Sequence, residues 1–148
     1  YYDIQPALNY GYAHPDPKHP WEQAVDAPGP LAVRHELQNI MTFWMDKGID
    51  GFRVDLAASL VKNDPDKRAT IALWQELNGW FDAAYPNGVL IAEWFNPKES
   101  ISAHFDVDFL QSTLFNPRRP ECRIFVSGGE PDLHPRRIGI RSARRWPG

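Results

Sequence analysis

Two carboxylates stand at the ends of two short apolar segments, about one repeat of strand, helix and strand apart. Asp55 closes the segment GFRVD at 51–55, and Glu93 follows the apolar run VLIA at 89–92. Successive parallel strands usually lie side by side, about 4.8 Å apart, so both side chains should leave the same edge of a sheet. We expect the two carboxyl groups to lie roughly 5–7 Å apart, which suits the paired acids of retaining glycoside hydrolysis.

The residues around the two carboxylates also suit this chemistry. Arg53 lies two residues before Asp55 on the same strand face, and a guanidinium there would keep the carboxylate ionised, as a nucleophile requires. Trp94 and Phe95 follow Glu93, and apolar rings beside a carboxyl group raise its pKa, as a catalytic acid requires. The same spacing also fits an Arg–Asp ion pair inside a barrel with Glu93 capping a helix, so spacing alone leaves both interpretations open.

Amphipathic helices and short strands alternate along the chain and would hold these side chains. Residues 31–47 have apolar side chains at helical spacing, and Asp64-Pro65 is a start signal for a second helix. Strands are expected at 51–55, 89–92 and 105–109, and the continuous apolar run of the second predicts coverage on both faces. This order predicts an α/β fold with a parallel sheet, either an open doubly wound sheet or a piece of a (β/α)8 barrel.

The composition indicates a globular domain and excludes several other classes. With 148 residues, 43% of them hydrophobic, the chain can bury a core and is not disordered throughout. No run approaches the ~18 apolar residues of a membrane span, so no membrane association is expected. A net charge of −3 argues against a nucleic-acid partner, and a single cysteine, Cys122, excludes an internal disulfide.

The last part of the chain has a different composition. Residues 1–117 have 8 Lys+Arg and 16 Asp+Glu, whereas residues 118–148 have 8 Arg, no Lys and 3 acidic residues. Glycine and proline also concentrate there, which predicts a boundary near Pro117. We interpret 118–148 as an atypical, poorly ordered Arg/Pro/Gly-rich tail or a misassembled end, in preference to a basic arm for an acidic partner.

Three segments resemble motifs of the α-amylase family, glycoside hydrolase family 13. GFRVD at 51–55 resembles its nucleophile strand, LIAEW at 90–94 its acid/base strand, and PALNY at 6–10 a segment of its long insertion after the third barrel strand. The resemblance implies a (β/α)8 TIM barrel. Residues 1–117 would be a partial catalytic barrel, roughly strands 4 to 6 with their helices.

The resemblance also implies roles for individual residues. Asp55 would be the nucleophile, Glu93 the general acid/base and Arg53 the partner of the nucleophile. The implied enzyme is a retaining α-glycosidase or transglycosylase that acts on α-glucosidic bonds of oligo- or polysaccharides, with a carbohydrate substrate and no cofactor. Further candidates for substrate contact are Asn9, Tyr10, Trp94 and Phe95.

The sequence also departs from the family pattern. The family site uses an Asp-and-His motif after the third strand and a His-Asp pair after the seventh, and neither occurs in these 148 residues. We therefore expect the chain to be inactive on its own. Ala58-Ser59 and Ala7 stand where calcium-dependent members commonly have Lys-His and an acidic ligand, so no metal is predicted.

Two other functions fit part of the pattern. A non-catalytic amylase-like domain could bind sugar or protein, but it would not need a nucleophile, an acid and Arg53 together. A metal-dependent barrel enzyme could use Asp55 and Glu93 as magnesium ligands, but a cation site beside Arg53 is unfavourable. Asp106 and Asp108 alternate on the last predicted strand and fit a strand-end role better than a place at the cleft rim.

Overall fold

The computed structural model describes residues 7–110 and 123–126, and the chain alternates between helices and strands there. The helices are α1 (Pro28–Met45), α2 (Arg68–Ala84) and α3 (Pro97–Ser102). The strands are β1 (Gly51–Val54), β2 (Val89–Ala92), β3 (Val107–Leu110) and β4 (Arg123–Val126). They form one sheet in chain order, in which β1, β2 and β3 are parallel. The predicted α/β pattern with a parallel sheet is therefore confirmed.

The sequence signals at the ends of α1 agree with the structure, whereas the signal for the start of α2 does not. α1 has proline in its first turn, as expected, and Gly48 follows its end with a φ of +90°. The expected start of the second helix at Asp64-Pro65 is wrong, because α2 begins at Arg68. Asp64 still acts near this end: its carboxylate accepts hydrogen bonds from the Thr70 backbone and hydroxyl at 2.8 and 2.7 Å.

The hydrophobic core lies between α2 and the face of the sheet that carries Leu90 and Ala92. Phe81 is fully buried and meets Phe52 of β1 edge to face, with ring centroids 6.2 Å apart. Trp74 is also buried, and its indole N–H donates to the Ala57 carbonyl at 2.9 Å, just after β1. Burial of a large side chain contributes about 1.5–3 kcal/mol, so this layer fixes α2 against the strands.

The opposite face of the sheet is open in the described residues. In β2, Leu90 and Ala92 are buried, whereas Val89 is 39% exposed and Ile91 is partly exposed. The expected coverage of this strand on both faces is therefore wrong for the described part of the chain. Side chains alternate along a strand, so the open face is the one that continues to Glu93.

The fourth strand falls within the segment expected to be a poorly ordered tail. β4 pairs with β3 in the antiparallel direction, with Val107 opposite Val126 and Leu110 opposite Arg123. The structure describes only these four residues of 118–148, so the interpretation of that segment as a poorly ordered tail stays a prediction. The rest of 118–148 lies outside the described residues, so the boundary near Pro117 stays a prediction.

Gly51 is the position where the sheet tolerates no side chain. A Cβ at Gly51 would overlap the Val89 carbonyl oxygen on the neighbouring strand. We expect Gly51→Ala to lower the free energy of unfolding by more than about 2 kcal/mol, because the strands must separate to admit the methyl group. Urea unfolding of the purified protein measures this change. Gly79→Ala is the control, since nothing lies within 4 Å of a Cβ there; equal stability of the two variants would contradict the prediction.

Candidate active site

The register of β1 and β2 brings the two predicted catalytic carboxylates to one edge of the sheet. Val54 is opposite Ala92 in the parallel ladder, and Asp55 and Glu93 are the next residues of the two strands. The Glu93 N–H donates to the Val54 carbonyl at 2.9 Å, which continues the pairing one step past the strand ends. Both side chains therefore leave the carboxyl edge of neighbouring parallel strands, where barrel enzymes place their active sites.

Arg53 contacts both carboxylates with one guanidinium. Its Nη1 lies 2.7 Å from Asp55 Oδ1 and its Nη2 lies 2.9 Å from Glu93 Oε2. Because a guanidinium is small and planar, these two oxygens lie within about 8 Å of each other. Glu93 Oε2 also accepts a hydrogen bond from the Leu56 N–H at 3.3 Å. The backbone there is left-handed, with a φ of +47° at Leu56.

The two carboxylates differ in exposure and in electrostatic surroundings. The side chain of Asp55 is 68% exposed, whereas that of Glu93 is 20% exposed. A hydrogen bond with the Glu93 carboxyl and the adjacent Arg53 guanidinium hold the pKa of Asp55 below its usual value. These surroundings favour the ionised form of Asp55, which is the form that a nucleophile requires.

The two aromatic residues that follow Glu93 differ in how far they are exposed. Trp94 is 4% exposed, and its indole N–H donates to Glu99 Oε2 at 2.7 Å on the helix side of the sheet. The expectation of substrate contact by Trp94 is therefore wrong. The reason is strand alternation, which points Glu93 and Trp94 to opposite faces. Phe95 is 41% exposed with a φ of +64°, and its predicted substrate contact stays a prediction.

The two candidates near the start of the chain have clear structural contacts. Asn9 Oδ1 accepts from the Gly11 N–H at 3.0 Å, and Asn9 Nδ2 donates to the Trp21 carbonyl at 3.3 Å. Tyr10 packs against the hydrophobic core, and burial raises the pKa of its hydroxyl. Asn9 therefore anchors its loop, and a role in substrate binding for either residue stays a prediction.

The sequence did not identify Phe109 as a neighbour of the site. The Arg53 guanidinium carbon lies 5.8 Å from the centre of the Phe109 ring, so an aromatic face on β3 supports the arginine that bridges the carboxylates. The register carries a signal that could have found it. Asp108 is opposite Ala92, so Phe109 is the β3 residue at the level of Glu93 and on its face.

The described part of the chain, residues 7–110 and 123–126, contains no group of three or more His, Cys, Asp or Glu side chains placed to hold a metal ion. None of the helices described there is long and apolar enough to cross a membrane.

The sequence matches the family described as Alpha amylase, catalytic domain, over residues 29–114. The chain belongs to the α-amylase family. The match includes both strand-end carboxylates and Arg53. The catalytic domain of the α-amylase family is a (β/α)8 barrel, so β1, β2 and β3 with their helices are part of such a barrel. β4 is antiparallel and departs from the all-parallel barrel pattern.

Three proteins named as α-amylase family enzymes are similar to this chain over stretches of different length. Alpha-amylase 3 of Dictyoglomus thermophilum is 33% identical over 73 residues, which is 49% of this chain and 14% of that protein. Neopullulanase 2 of Thermoactinomyces vulgaris is 26% identical over 112 residues, 76% of this chain and 17% of that protein. An oligo-1,6-glucosidase of Bacillus sp. (strain F5) is 55% identical over 31 residues, 21% of this chain and 6% of that protein. The chain thus matches less than a fifth of each of these α-amylase family proteins.

Proposed function

We propose that Arg53, Asp55 and Glu93 belong to the catalytic centre of a retaining α-glycosidase or transglycosylase. Its substrates would be α-glucosidic bonds of oligo- or polysaccharides. The observation that carries the proposal is the Arg53 guanidinium, which contacts both carboxylates at neighbouring strand ends. Membership of the α-amylase family and the relatives named alpha-amylase, oligo-1,6-glucosidase and neopullulanase support the substrate class.

In the first step, Asp55 acts as nucleophile and Glu93 as acid. A carboxylate oxygen of Asp55 attacks the anomeric carbon while the bond from that carbon to the glycosidic oxygen breaks. Glu93 gives its proton to the departing oxygen, so the leaving sugar departs as an alcohol and the remaining sugar is joined to Asp55 as an ester. The lowered pKa of Asp55 supports this division of roles, because the attacking group must be ionised.

In the second step, Glu93 acts as base. Its carboxylate takes a proton from water or from a hydroxyl of another sugar, and that oxygen attacks the anomeric carbon. Asp55 leaves as a carboxylate, which restores the starting state with Glu93 protonated. Water gives hydrolysis and a sugar gives transglycosylation, and two inversions at one carbon retain its configuration.

Product stereochemistry tests this proposal. Retaining enzymes hold their carboxyl groups about 5–5.5 Å apart, whereas inverting enzymes need about 6.5–9.5 Å to admit a water molecule. We expect the full-length protein to release the α-anomer first from maltotriose, as followed by proton NMR before mutarotation. Initial release of the β-anomer would contradict the proposal, as would binding of maltotriose without turnover.

We expect these 148 residues on their own to hydrolyse no α-glucoside at a useful rate. A (β/α)8 barrel typically has about 250 residues, and only three parallel strands are described. The family motif that would stabilise the oxocarbenium-like transition state is not in the sequence. Loss of one such preorganised group costs about 10²–10³ in kcat, and the lost substrate contacts add to this cost.

Release of 4-nitrophenol from 4-nitrophenyl α-glucoside by the purified chain tests this expectation. Asp55→Asn in the same chain provides the background rate. Turnover above that background by monomeric protein would show that the absent motifs are not essential.

A further inference from the structure

Asp108 is a buried carboxylate next to the candidate acid, and the proposed mechanism gives it no role. It is 3% exposed on β3 and lies opposite Ala92, the residue before Glu93. Its Oδ1 accepts hydrogen bonds from the backbone N–H groups of Trp94 at 3.0 Å and Phe95 at 3.3 Å. Its Oδ2 is buried and has no hydrogen-bond partner among the described residues. Burial of a carboxylate is costly, so a core position would ordinarily be filled by an apolar side chain.

These two hydrogen bonds stabilise the turn by which the chain leaves β2. Beyond Ala92 the strand no longer pairs with β3, and the N–H groups of Trp94 and Phe95 would lack ladder partners. Phe95 is in the left-handed region with a φ of +64°, which a residue with a Cβ adopts only when its surroundings enforce it. The Asp108 carboxylate supplies that constraint by accepting both N–H groups.

The same turn sets the direction of the Glu93 side chain. Glu93 is held on one side by the Val54 carbonyl, which accepts its N–H at 2.9 Å. On the other side, its path is fixed by the peptide groups of Trp94 and Phe95 that Asp108 binds. A change in this turn would therefore rotate the Glu93 backbone and shift its carboxyl group relative to Asp55.

We propose that Asp108 is a positioning residue that aims Glu93 at the glycosidic oxygen. This inference rests on the proposed function, because it assigns Asp108 to the proton transfer by Glu93. Asp108 touches no reacting atom and acts only through the backbone of residues 94–95. Displacement of a catalytic group by about 1 Å can cost about 10²-fold in rate.

A comparison of leaving groups separates this role from general support of the fold. Maltotriose has an alcohol leaving group that needs a proton from Glu93, whereas the fluoride of α-maltosyl fluoride departs with little help from an acid. Both probes can deliver the same maltosyl group to Asp55. The ratio of the two rates within one preparation does not depend on the fraction of protein that is folded.

The variants to compare in the full-length protein are Asp108→Leu, which removes the acceptor at similar size, and Asp108→Asn, which keeps one carbonyl oxygen. Asp106→Leu is the matched control, because Asp106 Oδ2 accepts the Leu90 N–H at 2.8 Å near the start of β2. For Asp108→Leu we expect kcat on maltotriose to fall about 100-fold with little change in KM. The initial velocity of the pre-steady-state burst of fluoride release, which measures ester formation alone, should fall less than about fivefold. Asp108→Asn should recover most of the loss, and Asp106→Leu should leave the ratio unchanged.

Equal loss on both substrates in Asp108→Leu, or no loss on either, would overturn the positioning role. A wild-type protein that cleaves neither probe, or an Asp55→Asn protein that retains the wild-type rate, would defeat the proposed function and this inference together. Abolition of both rates by Asp55→Asn, combined with an unchanged ratio in Asp108→Leu, would defeat this inference alone.

Discussion

Replacement of Asp55 by Asn is expected to lower kcat on maltotriose by about four to six orders of magnitude in the full-length protein. Asparagine has nearly the same shape and can still accept from Arg53, but its amide oxygen cannot form the glycosyl ester. The loss therefore comes from the chemical step, and KM should change little. Steady-state kinetics on maltotriose and α-maltosyl fluoride measure it, and both substrates should be affected alike because both need the nucleophile.

The chain offers a closely matched control for this variant. Asp66 pairs with Arg68 two residues away, with Arg68 Nε 3.0 Å from Asp66 Oδ2, and both side chains are exposed. Asp66→Asn removes the same charge from a similar local arrangement outside the site, so its kcat should stay within about twofold of the wild-type value. A loss smaller than about 100-fold in Asp55→Asn would contradict its assignment as nucleophile.

Replacement of Glu93 by Gln should give the second largest effect, and the effect should depend on the leaving group. General acid catalysis contributes about 10²–10⁴-fold, so kcat on maltotriose should fall by that factor. Formation of the ester from α-maltosyl fluoride should be affected much less, because fluoride needs little protonation. A pre-steady-state burst of fluoride release measures that step. Glu36→Gln, an exposed position on α1, is the control.

The pH dependence gives an independent readout of the nucleophile. In the wild type, the rate should fall as pH drops through the pKa of Asp55, because protonation removes the nucleophile. That pKa is held below its usual value, so the acid limb should lie below about pH 4. The initial rate of fluoride release from α-maltosyl fluoride as a function of pH measures this limb, and an acid limb well above about pH 4 would contradict the assignment of Asp55 as nucleophile.

The strand-end carboxylates could be located from the sequence because their position depends on strand periodicity and parallel pairing alone. GFRVD and VLIA are short, strongly apolar and one repeat apart, and adjacent parallel strands have few other registers available. The same alternation places Trp94 on the helix side of the sheet and Glu93 on the open face, so the sequence alone already argues against substrate contact by Trp94.

Other features depend on contacts that no local pattern encodes. The Asp64 carboxylate accepts a hydrogen bond from a backbone N–H in the first turn of α2, although it lies several residues before the helix begins. A rule that takes the residue before a proline as the helix cap therefore places the start of α2 too early. The aromatic support of Arg53 by Phe109 and the bonds of Asp108 to the turn after β2 join separate strands. Such contacts become visible only once the strand register is known. β4 pairs with β3 in the antiparallel direction, which the alternating βα pattern of the sequence does not predict.

Covalent labelling tests the central assignment most directly. A fluorinated α-glucosyl fluoride that forms the ester quickly and hydrolyses slowly should leave one sugar on the nucleophile of the full-length protein. Mass spectrometry of the proteolysed protein should locate that sugar on Asp55, and the Asp55→Asn variant should take up none. A sugar on any other residue, or no adduct on a protein that turns over maltotriose, would contradict the assignment of Asp55 as the nucleophile.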